Sequence, residues 1–242
     1  MQNDFMLEKK LRQLNKDYHT RVSNTGFLVN FALEKYKIIF PEYTDHSVSH
    51  SLRVIEICNM LVGKENLEKE INNSLKVLRE GGLLLYPTDT VWGIGCDATN
   101  EEAVKKVFEL KKRSEAKSLI TLASSVEMIE QYVAQVPPMA YELIEVNDAP
   151  MTIIYPEVEG LASNVIAEDG TAGIRVPLND FCLRLIRKFG KPVVSTSANV
   201  SNGPTPKTFK EITETIVKGV DYCVDPSIDS SSTHKASQII KL

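Results

Sequence analysis

Four short polar clusters hold the residues whose types could serve a reaction. Two hydroxyls and a carboxylate occupy residues 88–90 after an apolar run, Arg175 ends a second run, and residues 195–199 (Ser-Thr-Ser-Ala-Asn) end a third. The fourth cluster follows a helical pattern and consists of the cations Lys111, Lys112, Arg113 and Lys117. In open α/β sheets, ligands bind beyond the carboxyl ends of strands, so these clusters are candidate site residues.

The residue types suit an anionic small molecule that also carries a hydroxyl or an amine. Hydroxyls and an amide can hydrogen-bond the polar groups of an amino acid, and an arginine can take a carboxylate through charge-assisted bonds worth about 1.5–3 kcal/mol. Lysine and arginine can hold a triphosphate and neutralise the charge that builds on it. Plainer interpretations stay open, because residues 195–199 are also typical of a polar turn and cations also offset a helix dipole.

Several familiar motifs are missing from the sequence. There is no G-x-x-x-x-G-K-[ST], which excludes a P-loop as the phosphate binder, and no G-x-S-x-G nucleophile elbow. The four cysteines are widely spaced and include no C-x-x-C pair, which favours reduced thiols over disulfides or zinc. The sequence therefore indicates neither a covalent serine mechanism nor a cysteine-bound metal.

Size and charge place the chain among ordinary globular proteins. It has 242 residues, of which 43% are hydrophobic and 25% are charged. The net charge of −4 argues against a wholly basic nucleic-acid-binding protein but allows a local basic groove. No apolar run approaches the roughly 20 residues that span a bilayer, and the N-terminus lacks an apolar signal core. We therefore expect a cytoplasmic protein that makes no membrane contact.

From residue 67 onwards, apolar runs alternate with helical patterns, which predicts an α/β fold. The uneven connections favour a twisted mixed β-sheet with surrounding helices. The predicted strands cover residues 83–86, 119–123, 151–155, 172–176, 192–195, 222–224 and 237–240. Four of the predicted helices cover residues 67–79, 126–133, 139–146 and 209–217. Two more are predicted from their caps: one begins after Thr99 or Asn100, and the other begins after Asn179 or Asp180 and ends at Phe189.

Residues 1–66 differ from the rest and predict a small helical N-terminal extension before a main domain at 67–242. The last helix of this extension is expected to end at Gly63. His46 and His50 lie four residues apart, a spacing that metal ligands can use. The sequence around them resembles the opening helix of HD-type metal phosphohydrolases. A structural role is favoured over a metal site, because the later His-Asp pair of that family is missing.

Five stretches, taken in order, resemble signatures of the YrdC family of threonylcarbamoyl-AMP synthases. They are YPTDTVWGIGCDA, LKKRSEAKSL, AGIRVP, PVVSTSANVSNGPTP and KASQIIKL, and the resemblance runs from about residue 67 to residue 242. It implies a twisted mixed sheet around a large concave basic cavity. It also implies that L-threonine, bicarbonate and ATP give threonylcarbamoyl-AMP and pyrophosphate. A separate transferase complex would then modify an adenosine in certain tRNAs.

The resemblance further implies roles for the residues at the motif positions. Those that would hold L-threonine are Thr88, Arg175, Ser195 and Ser237, with Arg175 taking the carboxylate. Those that would hold ATP are Lys111, Thr171, Ser197 and Thr205. The catalytic cations would be Lys111 and Arg113, and the supporting residues Lys117 and Asn199. Magnesium is expected on the ATP phosphates without an evident protein ligand, and catalysis would consist mainly of positioning and charge neutralisation.

The sequence also departs from the family pattern. Ser114 and Ser118 replace two usual prolines, Gln238 replaces a threonine, and residues 147–152 replace a glycine-rich stretch. The relatives also usually continue past the position of Leu242 with a tail that carries an arginine. These departures support a second hypothesis, a YrdC-like module that binds nucleotide or RNA without turnover. A phosphohydrolase remnant in the N-terminal extension is the third and least favoured hypothesis, and direct tRNA binding stays open.

Overall fold

The computed structural model describes residues 48–114, 118–146, 148–229 and 232–242. The chain divides into two compact units, residues 1–66 and 67–242. His46 and the side chain of His50 lie outside the described part, so the preference for a structural role over a metal site at this pair stays a prediction. The helical character of residues 1–47 also stays a prediction.

Helix α1 covers Val48–Arg79 as one continuous element. The prediction of two helices separated near Gly63 is therefore wrong. A single glycine within a helix costs only about 1 kcal/mol relative to alanine, which a helix of this length tolerates. No described helix is long and apolar enough to cross a membrane.

Eight strands form one mixed sheet, which confirms the predicted fold class. They are β1 (Leu84–Tyr86), β2 (Gly93–Gly95), β3 (Ile120–Leu122), β4 (Met151–Tyr155), β5 (Ala172–Arg175), β6 (Val193–Ser197), β7 (Tyr222–Cys223) and β8 (Gln238–Lys241). Their order across the sheet is β7-β1-β2-β6-β3-β5-β4-β8. The sequence analysis missed β2, because a Gly-Ile-Gly segment carries too few apolar side chains to show the pattern of a strand.

The strand directions separate two of the predicted clusters. Strand β3 pairs in parallel with β5 and antiparallel with β6, so β5 runs opposite to β6. Strand β2 pairs antiparallel with both β1 and β6, so those two run the same way. The carboxyl end of β5, which holds Arg175, therefore lies at the other end of the sheet from the carboxyl end of β6. The position of Arg175 at the end of a strand therefore does not explain how its side chain reaches the same site as residues 195–199.

In the part of the chain that the structure describes, five further helices follow α1. They are α2 (Glu101–Lys111), α3 (Val126–Ile129), α4 (Pro138–Glu145), α5 (Asp180–Phe189) and α6 (Glu214–Gly219), with 3₁₀ turns at Phe209–Glu211 and Pro226–Ile228. The side chains of Asn100 and Asn179 cap α2 and α5 by accepting backbone N–H groups. Helix α3 is shorter than predicted. The helix predicted at 209–217 is broken, because Ile212 and Thr213 adopt extended backbone.

The core lies between the sheet and one face of helices α1, α2 and α5. Ile71 of α1, Val107 of α2 and Leu185 of α5 are all buried in one hydrophobic cluster with the central strands. Tyr86 and Trp92 are fully buried in the same cluster. Trp92 donates its indole N–H to Asp229 at 2.7 Å, which satisfies its one polar group.

Candidate active site

A cavity of about 390 Å³ opens on the central strands. Six stretches of chain line it, and they include the loop between β1 and β2, the segment from the end of α2 to β3, and the last residues of β6. The lining positions are residues 90, 91, 93, 113, 118–120, 175, 195–197, 205, 207, 234, 236 and 237. Such a volume, with several convergent polar groups, is typical of a small-molecule site.

Six of the eleven predicted site residues line this cavity. They are Arg113, Arg175, Ser195, Ser197, Thr205 and Ser237. Four others, Thr88, Lys111, Thr171 and Asn199, are described by the structure but are not among the lining residues. Lys117 lies outside the described residues.

Thr88 shapes the loop that forms one wall of the cavity. Its hydroxyl donates to the carbonyl of Val91 at 2.7 Å and accepts the backbone N–H of Thr90 at 3.1 Å. The two threonine hydroxyls lie 2.8 Å apart. Because Thr88 gives its single proton to Val91, Thr90 is the donor in this pair. Thr88 is thus a buried support for Thr90, which lines the cavity itself.

Arg175 reaches the cavity by pairing with this same loop. Its two terminal nitrogens donate to the two carboxylate oxygens of Asp89 at 2.8 Å each, and one also donates to the hydroxyl of Thr90 at 3.2 Å. Asp89 is 3% exposed and Arg175 is 4% exposed. A two-pronged pair of this kind fixes the plane of the guanidinium. The sequence analysis placed Arg175 in the site but missed Asp89 as its partner.

Lys111 lies behind the cavity wall. Its ammonium group donates to the backbone carbonyls of Ser197 and Asn199, and its own carbonyl accepts the N–H of Ser201 at 2.8 Å. Burial, with the charge of Arg113 nearby, lowers the pKa of Lys111 to about 8. These bonds hold the turn after β6 from both ends.

Asn199 and Thr171 each form local hydrogen bonds. The side-chain amide of Asn199 donates to the carbonyls of Val200 and Gly203 at 3.0 and 2.8 Å, which closes the loop that leads to Thr205. The hydroxyl of Thr171 donates to Asp169 at 2.7 Å in the turn before β5. Asn199 therefore shapes a segment of the wall, whereas Thr171 is not among the lining residues.

Ser237 is held by a residue that the sequence analysis did not single out. Its hydroxyl lies 2.7 Å from the hydroxyl of Thr152 on β4, and Thr152 is fully buried. Residues 147–152 stood out as a departure from the family pattern, but only the pairing of β4 with β8 shows that Thr152 faces Ser237.

The charge of the lining is positive. Arg113, Arg175 and Lys207 contribute cations, His234 adds an imidazole, and no aspartate or glutamate is among the described lining residues. Lys207 and His234 were also missed, although the position of Lys207 two residues after Thr205 could have suggested it. His234 has a left-handed backbone with φ of 56°. Within the described ranges, no group of three or more His, Cys, Asp or Glu side chains could hold a metal ion.

Comparison with known proteins finds the same fold and several related sequences. The Sua5/YciO/YrdC family model, described as telomere recombination, matches residues 76–242. The threonylcarbamoyl-AMP synthase of Hahella chejuensis is 32% identical over 170 residues, which cover 70% of this chain and 91% of that protein. The enzyme of the same name from Pyrococcus abyssi is 30% identical over 164 residues, which cover 67% of this chain and 48% of that protein.

Solved structures agree with these sequence matches. The crystal structure of P. abyssi Sua5 complexed with L-threonine superposes with a TM-score of 0.66 at 28% identity, covering 71% of this chain and 50% of that one. The chain thus spans about half the length of that protein. E. coli YciO superposes with a TM-score of 0.60 at 22% identity, covering 71% of this chain and 83% of that one, which supports the fold alone.

Proposed function

This chain belongs to the Sua5/YciO/YrdC family, and we propose that it is a threonylcarbamoyl-AMP synthase, a nucleotidyltransferase. The reaction joins L-threonine, bicarbonate and ATP into threonylcarbamoyl-AMP and pyrophosphate. The observation that carries the proposal is that one cavity combines the hydroxyls of Ser195 and Ser237 with the cations Arg113 and Lys207 in its walls. Hydroxyls suit the amino acid, and the cations suit the triphosphate.

The two substrates would bind on different sides of the cavity. Ser195, Ser237 and the cavity-facing part of Arg175 would hold L-threonine, while Ser197, Thr205 and the cations would hold ATP. The amine of L-threonine first joins the bicarbonate carbon with loss of one water molecule, which gives N-carboxythreonine. A carboxylate oxygen of that carbamate then attacks the α-phosphorus, and the bond from that phosphorus to pyrophosphate breaks. Arg113 and Lys207 offset the negative charge that collects on the departing pyrophosphate. No covalent nucleophile is needed, because positioning and charge neutralisation lower the barrier.

The proposal also includes a magnesium ion, the cytoplasm as the location of the protein, and a second enzyme that uses the product. A Mg²⁺ ion would arrive with ATP and be held by its phosphate oxygens, since such sites often use substrate phosphates rather than a protein cage. The cytoplasm is the proposed location, because the described cysteines Cys96, Cys182 and Cys223 are unpaired thiols. A separate tRNA threonylcarbamoyl-transferase complex would consume the product, an activated acyl phosphate. Direct tRNA binding is not needed for the reaction itself.

Pyrophosphate release tests the proposal. We expect release from ATP and bicarbonate only when L-threonine is present, and a loss of about 100-fold in kcat/KM for Arg113→Ala. Arg187→Ala is the matched control, because Arg187 is an exposed cation on α5 away from the cavity. ATP binding without threonine-dependent release would favour the alternative, a YrdC-like nucleotide-binding or RNA-binding module.

A further inference from the structure

Asp89 joins three segments around the cavity. Its carboxylate accepts hydrogen bonds from both terminal nitrogens of Arg175, at the end of β5, and from the backbone N–H of Leu178 at 3.0 Å. Its backbone carbonyl accepts the N–H and the hydroxyl of Thr233, each at 3.0 Å. Thr233 belongs to residues 232–237, which we call the strap and which carry Ser237 to the cavity.

Within the described residues, the strap is hydrogen-bonded at its start to the loop that contains Asp89 and at its end, through Ser237, to Thr152 of β4. The hydroxyl of Ser232 donates to the carbonyl of Thr90 at 2.6 Å, and Thr233 makes the two bonds to Asp89. The loop, Arg175 and the strap therefore share one junction. The ATP side of the cavity is held differently, since Lys111 and Asn199 fix the turns that position Ser197 and Thr205.

We propose that Asp89 is a positioning residue for L-threonine. It fixes the guanidinium of Arg175 and anchors the strap, so that Arg175 and Ser237 meet the amino acid from two sides. Asp89 and Thr90 use three N–H groups of Arg175, and the threonine carboxylate meets Arg175 through the two that remain. The inference rests on the proposed function and assigns to Asp89 a role in amino-acid binding rather than in ATP binding.

The test is Asp89→Asn, which keeps the size of the side chain and removes its charge. We expect the KM for L-threonine to rise by about tenfold or more, with the KM for ATP changed less than about twofold. Asp97→Asn is the matched control. Asp97 is also buried and paired, with Lys191 at 2.9 Å, but it does not line the cavity. We expect its KM values to match those of the wild type.

A second comparison keeps the test informative if Asp89→Asn folds poorly, because a buried charge that has lost its partner destabilises a protein. In Arg175→Gln protein, adding Asp89→Asn should change the KM for L-threonine less than about twofold, since Asp89 then has no guanidinium to fix. Additive effects of the two substitutions would overturn the proposal, as would a wild-type KM for Asp89→Asn or equal rises for both substrates.

Calorimetric titration with L-threonine separates this inference from the proposed function. Weaker threonine binding by Asp89→Asn than by the wild type and Asp97→Asn supports the role of Asp89 even in the absence of turnover. Equal threonine binding by all three proteins overturns it. Absence of threonine-dependent pyrophosphate release from the wild type would instead count against the synthase activity.

Discussion

The ammonium group of Lys111 donates a hydrogen bond to the backbone carbonyl of Asn199 at 2.6 Å, although the two residues lie 88 positions apart. A second bond reaches the carbonyl of Ser197. Lys111 therefore connects the end of α2 to the turn after β6. The family resemblance implies an ATP contact for this lysine, whereas in the fold its ammonium group supports the wall on which the ligand would bind.

Replacing Lys111 by methionine should weaken both the fold and the site. The substitution removes the ammonium donor from the carbonyls of Ser197 and Asn199, although the Ser197 carbonyl keeps the N–H of Asn199 at 2.9 Å. We therefore expect the free energy of unfolding to fall by about 2 kcal/mol. Urea denaturation measures this loss, and the KM for ATP should rise in parallel. The control is Lys112→Met at the exposed neighbouring position. A Lys111→Met protein as stable as the control would contradict the supporting role.

The pKa of Lys111 predicts a pH dependence of stability. The folded pKa is about 8, below the ordinary value of 10.5, so in this interval the folded protein has released a proton that the unfolded chain still holds. Stability must therefore rise with pH across the interval. A neutral amine still has two N–H groups for its two carbonyl acceptors. We expect the loss caused by Lys111→Met to be larger at about pH 9.5 than at about pH 7. A loss that shrinks with pH would be the opposite of this expectation.

The contact between Thr152 and Ser237 can be tested by substitution, with a second buried threonine of the same sheet as the control. Thr152→Val removes the hydroxyl that pairs with Ser237, so we expect a loss of about 1 kcal/mol in stability and a several-fold rise in the KM for L-threonine. Thr121→Val is the control, because the hydroxyl of Thr121 is buried without a partner among the described residues. Its removal should leave stability unchanged or improved. Equal effects of the two substitutions would argue against the Thr152–Ser237 contact.

Substitutions at two glycines on one face of β2 should have different effects, one mainly on threonine binding and the other mainly on stability. A Cβ at Gly93 would lie 3.1 Å from the hydroxyl of Ser195, so Gly93→Ala should displace that hydroxyl and raise the KM for L-threonine. A Cβ at Gly95 would lie 2.6 Å from the ring of Tyr86 and 2.7 Å from the carbonyl of Val194. Gly95→Ala should therefore lower the melting temperature more than Gly93→Ala does, because overpacking against backbone is costly. Thermal denaturation and initial rates measure the two effects, and the reverse ranking in melting temperature would refute this distinction.

Local signals in the sequence were sufficient for much of the fold. Asparagine caps, Gly190 after α5 and the apolar runs of β1 and β4 each act through neighbouring residues, and the structure confirms them. The predictions failed where tertiary contacts override local pattern. Helix α1 continues through Gly63, and the segment after Phe209 becomes a 3₁₀ turn followed by extended backbone.

The site was predictable by residue type more than by arrangement. Ser195, Ser237 and Arg113 line the cavity as residues of their type would suggest. The partners that hold them in place were not predictable, because Asp89 and Arg175 lie 86 positions apart and meet only through the loop that crosses between strands. A sequence pattern also does not distinguish a lysine that binds a ligand from one that binds backbone carbonyls.

Incorporation of labelled bicarbonate tests the central claim most directly. Purified protein is incubated with ATP, Mg²⁺, L-threonine and ¹³C-bicarbonate. The nucleotide products are then separated, and mass spectrometry identifies them by their masses. The account predicts threonylcarbamoyl-AMP that carries one ¹³C atom, in amounts equal to the pyrophosphate released and absent when L-threonine is omitted. Unlabelled AMP or ADP as the sole nucleotide product, with no labelled threonyl adduct, would contradict it.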